Sequence, residues 1–170
     1  MAEIIRVGAF ASGGGTNLQA IIDNCEAGKI SARVAVVISN KADARALARA
    51  RNHGIPAEHV PVGRDRSEQF LEADRRHLEI LRAHQVDLLV LAGYMRRIGP
   101  GVLAAYRQAV LNIHPALLPS FPGTHGQRDA VEYGVRVSGC TVHFADAEFD
   151  TGPIIIQAAV PVIQVNSPWP

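Results

Sequence analysis

The sequence predicts an α/β fold: a Rossmann-like, three-layer domain built on a mostly parallel, twisted sheet of about seven strands with an antiparallel C-terminal portion. Three observations predict it. Short apolar runs rich in Val, Ile and Leu alternate with stretches of helical periodicity, the pattern of βαβ units. A glycine-rich loop, Ser12-Gly13-Gly14-Gly15-Thr16-Asn17, joins the first apolar run to the first helical stretch. In the last third, Ser138–Ala145 and Ile154–Val160 stand too close together for a helical crossover, so they pair antiparallel.

In chain order, Ile4–Ala11 reads as a buried first strand. Leu18, Ile21, Ile22 and Cys25 then follow at helical spacing, and Thr16 with Gln19 makes a T-x-x-Q capping box that starts this helix directly after the glycines. Ala32–Ser39 is a second buried strand, and Ala44–His53 a helix stopped by Gly54 and Pro56. Ala57–Val62 is a short third strand. Asp65 and Glu68 form a D-x-x-E helix start, after which Phe70, Ala73, His77 and Leu81 make an apolar stripe. The charges of that helix, Glu72, Asp74, Arg75, Arg76 and Glu79, read as a solvated face. Asp87–Ala92 is the fourth strand. A short helix at Val102–Tyr106 leads to a fifth strand that begins at Ala109, and Gln127–Tyr133 forms one more short helix. Right-handed crossovers bring the ends of strands one, four and five to one edge, where the glycine loop, the Met95-Arg96-Arg97 turn and the segment after strand five converge.

At 170 residues the chain is read as one domain, of a size that buries roughly 70% of its unfolded surface. A hydrophobic content of 48% and a net charge of +1 describe a folded chain and give no electrostatic case for nucleic acid or an anionic membrane as partner. No apolar stretch approaches the ~18 residues of a membrane span. Cys25 and Cys140 are distant in sequence and no signal peptide precedes them, so they are expected to be reduced thiols of a cytoplasmic protein.

The chemistry concentrates in Asn112-Ile113-His114-Pro115, with His143 and Asp150 further on. Strand side chains repeat every second residue, so Asn112 and His114 share a face, and Pro115 ends the strand. An amide donor beside an imidazolium suits a developing oxyanion. The same residues also fit a turn-capping Asn and a satisfied buried His. Two histidines and several carboxylates raise the question of a metal, but no H-x-x-x-H, H-x-x-E-H or Cys pairing supports one. Ser120 and Ser138 lack a G-x-S-x-G elbow, which leaves acid–base and oxyanion chemistry on a carbonyl-like centre. The glycine loop before a helix N-terminus is an anion site, without the lysine of a Walker A loop or the spacing of the dinucleotide fingerprint; a plain flexible turn is the alternative.

Taken together, SGGGTNLQAII, SNKADA, VLAGYMRRI, LNIHPALLPSFPG, SGCTVHF and EFDTGPIIIQ, in that order, resemble the glycinamide ribonucleotide (phosphoribosylglycinamide) formyltransferase family from Ile4 to about Val162. The resemblance implies the formyltransferase fold, with residues 1–110 as the nucleotide-binding half of one domain and 111–170 as the catalytic and folate-binding half. It implies transfer of the formyl group of 10-formyltetrahydrofolate to the amine of glycinamide ribonucleotide in purine synthesis, with no metal. The catalytic residues it implies are Asn112, His114, Asp150 and His143. Asn112 and His114 would stabilise an oxyanion intermediate and Asp150 would assist proton transfer. Gly14, Gly15, Thr16 and Asn17 would bind the substrate phosphate. Met95, Arg96, Arg97 and Ile98, with Ala145, Asp146, Ala147, Glu148 and Asp150, would bind the folate, largely through backbone groups. A homodimer is left open.

Two departures from the family stand out. The phosphate-binding arginine at the start of the third helix has two contenders, Arg64 and Arg66, of which Arg66 is assigned. The family also continues with a C-terminal helix that contributes substrate contacts, whereas this chain reads to Asn166-Ser167-Pro168-Trp169-Pro170, which is no helix. A shortened relative that binds folate or ribonucleotide without turnover is therefore one alternative reading. A formyltetrahydrofolate deformylase or a methionyl-tRNA formyltransferase is another. The chain has room for neither the extra N-terminal domain of the first nor the extra C-terminal domain of the second.

Overall fold

The computed structural model describes residues 4–163 and contains two compact units, Met1–Leu111 and Asn112–Pro170. The first holds β1 (Ile5–Phe10), α1 (Thr16–Glu26), β2 (Ala32–Ser39), α2 (Arg45–Asn52), β3 (Ala57–His59), α3 (Glu68–Ala83), β4 (Leu88–Leu91) and α4 (Pro100–Ala105). β5 (Val110–His114) runs from the first into the second, which adds α5 (Gly126–Tyr133), β6 (Val137–Phe144) and β7 (Ile154–Pro161). The strand order is β3-β2-β1-β4-β5-β6-β7. β1 runs parallel to both β2 and β4, with Val7 opposite Leu88, and β6 pairs antiparallel with β7. The fold is the mixed α/β sheet expected from the alternation of runs.

In the first unit, α1 and α2 pack on β2 and on each other, while α3 packs on α4. Phe10, Leu18, Ile22, Ile38, Leu47, Leu81 and Leu89 are fully buried between these layers. At roughly 25 cal/mol per Å² of apolar area, side chains of this size each contribute about 1.5–3 kcal/mol on burial. In the second unit every residue of β7 is exposed, as an edge strand allows.

Four local expectations are corrected. The Thr16–Gln19 capping box does not form: the residue before α1 is Gly15 in the left-handed region (φ 70°), no side chain caps the helix, and Gln19 turns its amide elsewhere. β3 is only Ala57–His59, and its continuation to Val62 is loop. The third helix begins at Glu68, because the Ser67 hydroxyl accepts from the Phe70 N–H at 3.1 Å and takes the capping role from Asp65. Asp74 is not on the solvated face. It is 7% exposed and accepts from the N–H groups of Gly101 (2.7 Å) and Val102 (3.1 Å), capping the six-residue α4 from a neighbouring helix. A helix that short has no i→i−4 partners for most of its N–H groups, which is why a buried carboxylate is tolerated there. The expectation about Asn166–Pro170 lies outside the described residues.

His77, on the apolar stripe of α3, is 2% exposed and meets Phe10 edge-on with ring centroids 5.1 Å apart; neither ring nitrogen has a hydrogen-bond partner. Burial alone lowers its pKa to about 4. The unfolded chain, with an ordinary histidine near 6.5, takes up a proton below that pH that the folded state refuses. Stability is therefore complete above pH 6.5 and declines as the pH falls toward 4, by roughly 3 kcal/mol in all. His77→Leu should flatten that part of the denaturant-midpoint-against-pH curve; an unchanged slope between pH 6.5 and 4 refutes the assignment.

Candidate active site

The first unit places the glycine loop and the N-terminus of α1 directly after β1. Gly15 (φ 70°) turns the chain into α1, and a Cβ there would lie 2.9 Å from Ala46 of α2, so this position must be glycine. With no side chain capping α1, its first N–H groups stay available. Ser12, 3% exposed, ties the loop down: its hydroxyl donates to Asn40 Oδ1 (2.6 Å) and accepts from the Met95 N–H (2.8 Å), while its own N–H donates to the Gly93 carbonyl. These bonds bring the Gly13–Asn17 loop and the Met95 turn to one cavity of about 300 Å³, lined by Ser12, Gly14, Gly15, Thr16, Asn17, Lys41, Gly93 and Met95 among others.

Gly14, Gly15, Thr16 and Asn17 line this cavity together. Arg66 does not line this cavity: it is exposed, at φ 62°. The cation on the wall is Lys41, at the end of β2, which sequence reasoning passed over although it sits inside SNKADA. A lysine directly after a strand that neighbours the glycine-loop strand was the available signal. In the Met95 turn, Met95 is exposed and Ile98 buried. The Arg96 guanidinium donates to the carbonyls of Val62 (2.9 Å) and Gly63, and Arg97 pairs with Asp65 at 3.1 Å.

The second unit gathers Asn112, His114, His143 and Asp150. Asn112 and His114 come from one face of β5, and His143 from β6, where it is 1% exposed. Asp150 stands in the loop before β7 at φ 58°, a conformation that costs a non-glycine residue about 1 kcal/mol or more. Two residues later a Cβ on Gly152 would strike the Phe144 carbonyl oxygen at 1.8 Å, so the loop passes that strand as closely as backbone can. Asp146 holds the same loop by accepting from the Glu148 N–H and the Thr151 hydroxyl, at 3.1 and 2.8 Å.

Proton positions follow from the partners. His143 Nδ1 faces the Phe144 carbonyl at 3.0 Å and must donate, so Nε2 accepts from Asn112 Nδ2 at 3.0 Å. His114 Nε2 donates to the Phe121 carbonyl at 2.8 Å, which leaves Nδ1 facing Asp150 Oδ1 at 3.4 Å. That second contact is satisfied when His114 carries both protons. Asp150 Oδ1 also lies 3.5 Å from Asn112 Nδ2 and 3.7 Å from His143 Nε2, and Oδ2 accepts from the Gly123 N–H at 2.8 Å. The carboxylate side chain is 6% exposed and that of His114 3%, so water screens the pair little. Among the described residues no group of His, Cys, Asp and Glu is arranged to hold a metal ion, and no helix is long and apolar enough to cross a membrane.

Residues 5–168 match the formyl transferase family. The chain belongs to that family. Phosphoribosylglycinamide formyltransferase of Escherichia coli (strain K12) is 46% identical over 158 residues, 92% of this chain and 73% of the relative. Glycinamide ribonucleotide transformylase 1 from Symbiobacterium toebii is 52% identical with a TM-score of 0.89, over 96% of this chain and 76% of the other. A formyltetrahydrofolate deformylase from Pseudomonas syringae pv. tomato str. DC3000 is 34% identical with a TM-score of 0.86, over 98% of this formyl transferase chain and 54% of its own. The backbone is therefore shared by proteins of both names, and the relatives named phosphoribosylglycinamide formyltransferase, 41–46% identical over most of the chain, support formyl transfer in purine biosynthesis.

The turn that follows β5 hangs on Thr141. Its hydroxyl donates to the Ala116 carbonyl (2.7 Å) and accepts from the Leu118 N–H (3.0 Å) and Gln157 Nε2 (3.0 Å), with no exposure. Thr141→Val keeps the shape and strands the Ala116 carbonyl and the Leu118 N–H. It should cost about 1–3 kcal/mol in urea denaturation; a loss below about 0.5 kcal/mol would show that the turn is held without it.

Proposed function

We propose that this chain transfers the formyl group of 10-formyltetrahydrofolate to the amine of glycinamide ribonucleotide. One observation carries the reading: a single buried carboxylate, Asp150, draws Asn112, His114 and His143 into one cluster. In the reaction a bond forms between the amine nitrogen and the formyl carbon, the bond from that carbon to the folate nitrogen breaks, and a proton passes from the first nitrogen to the second.

Each residue of the cluster answers one part of that change. Asn112 donates an N–H to the formyl oxygen as it becomes anionic; its 3.5 Å contact with Asp150 is the longest it makes and the one that gives way. His143 accepts from the same amide and fixes which way it faces. His114 has both nitrogens engaged, by the Phe121 carbonyl and by Asp150, so when both carry protons it acts on the developing oxyanion through charge and not through a direct hydrogen bond. Asp150 takes the proton of the attacking amine and returns it to the leaving nitrogen, through water. For the folate, the backbone of Met95, Arg96, Arg97 and Ile98 is assigned in the first unit and, separately, the Ala145–Asp150 loop in the second.

The acceptor is read from the glycine loop. A deformylase passes the formyl group to water and needs no anion site for its acceptor. Here Gly14, Gly15, Thr16 and Asn17 open free N–H groups onto a cavity that also holds Lys41, which suits the phosphate of a ribonucleotide. Arg66 stands outside that cavity, and Lys41 takes its place in this reading.

The test is a formyl-transfer assay on this chain with both substrates. Asn112→Ala should lower turnover by roughly 10²-fold or more with folate binding intact, and near-normal turnover refutes its role. Asp150→Asn should abolish turnover while both substrates still bind; binding without transfer in the unaltered chain supports the non-catalytic alternative. Gly15→Val should raise the ribonucleotide KM and leave folate affinity unchanged, and an unchanged KM returns the loop to a plain turn.

A further inference from the structure

Behind the glycine loop lies a hydrogen-bonded chain of side chains that the formyl-transfer chemistry does not use. Arg49, half-buried on α2, donates from Nε to the Gly14 carbonyl at 2.8 Å and from Nη1 to Gln19 Oε1 at 3.1 Å. A guanidinium only donates, so the Gln19 amide must turn its oxygen to Arg49 and its NH2 away. That NH2 donates to Asp23 Oδ1 at 2.8 Å and to His53 Nε2 at 2.9 Å. His53 Nε2 is therefore an acceptor, and the ring hydrogen sits on Nδ1, which donates to Glu26 Oε1 at 2.8 Å. The direction of every bond follows from the guanidinium at one end, and the pattern closes only with a neutral His53.

The geometry points to Arg49 and Gln19 as positioning residues for the phosphate-receiving loop, with neutral His53 holding Gln19 in the required orientation. This rests on the glycine loop being the phosphate site. Gly13 and Gly14 have no side chains, and a Cβ on either would meet nothing within 4 Å, so no apolar packing holds that stretch. Its shape depends on polar anchors. The Gly13 carbonyl accepts from the Ala46 N–H at 3.0 Å, and the Gly14 carbonyl accepts from Arg49. In a trans peptide the N–H points opposite to the carbonyl. Holding the Gly14 carbonyl toward α2 thus directs the Gly15 N–H away from α2, whatever the solvent offers.

A proton on His53 Nε2 breaks the pattern. The Gln19 NH2 would then face a donor, and flipping the amide would turn that NH2 onto Arg49 instead. Either way one contact becomes donor against donor. The charged groups around His53 are Asp23 and Glu26 from α1 and Arg49 from its own helix, with Arg33 of β2 sharing a cavity wall with Glu26.

The test is steady-state kinetics of Arg49→Met, Arg49→Lys, Gln19→Met, His53→Gln and His53→Leu beside Gly15→Val. Arg49→Met and Gln19→Met should raise the ribonucleotide KM about tenfold, with kcat and folate KM within about twofold. Arg49→Lys should recover part of that loss, since an ammonium reaches one of the two acceptors. His53→Gln places an amide oxygen where Nε2 stands and should keep the ribonucleotide KM near that of the unaltered chain, whereas His53→Leu removes that acceptor and should raise it severalfold. Should Arg49→Met fail to fold, as judged by circular dichroism, Gln19→Met carries the same test without touching the loop. Unchanged ribonucleotide KM in Arg49→Met and Gln19→Met, with KM raised in Gly15→Val, overturns the inference alone. Unchanged KM in Gly15→Val overturns the phosphate reading and the inference with it. An unchanged ribonucleotide KM in His53→Leu removes His53 from the relay.

Discussion

The Asp150 carboxylate is the constraint on which the second unit is organised. It is almost wholly buried, and its two oxygens have separate tasks: Oδ1 faces His114, His143 and Asn112, while Oδ2 accepts the Gly123 N–H. A carboxylate out of water is costly unless it is paired and hydrogen-bonded. Here the partners come from β5, β6 and the loop after β5, so the cost is met only when all three are in place. The left-handed backbone of Asp150 and the close passage of Gly152 past β6 show what the chain accepts locally to put the carboxylate there. Catalytic clusters often hold strain of this kind, supported by the surrounding structure.

The first unit solves a different problem. A loop of three glycines makes few contacts of its own, yet an anion site needs N–H groups fixed in direction. The structure supplies direction from outside the loop: Ser12 ties it to Asn40 and the Met95 turn, Ala46 takes the Gly13 carbonyl, and Arg49 takes the Gly14 carbonyl. Each anchor is polar, and Ala46 and Arg49 belong to α2, which is held by the burial of Ala46, Leu47 and Ala50. Preorganisation of this sort lowers the ordering cost that a flexible loop would incur on binding.

Relatives named phosphoribosylglycinamide formyltransferase, 41–46% identical over most of this chain, support formyl transfer in purine biosynthesis, and a deformylase shares the backbone. The local features behind the proposed phosphate site are the N–H groups at the start of α1 and Lys41 on the same cavity wall. Function is carried by side chains that the fold places, not by the fold itself.

Much of the architecture was legible in the sequence, and the reason is periodicity. Strand and helix patterns repeat over two and about 3.6 residues, so the order of elements and the shared face of Asn112 and His114 can be read without knowing what packs on them. The glycine loop was legible for the same reason, as a break between two periods. Interactions between residues distant in sequence were not. Asp74 looked like one more charge on a wet helix face until α4 packed its open N-terminus against it. Thr16 and Gln19 matched a capping box, but Gly15 in the left-handed region set the turn and Arg49 claimed the Gln19 amide. Lys41 carried only its place after β2, and that Lys41 and not Arg66 lines the glycine-loop cavity was not written in the neighbours of either. Local pattern depends on a residue's neighbours in the chain and is written there. Whether a charge is buried, paired or left in water depends on which distant element arrives beside it, and that only the tertiary structure decided.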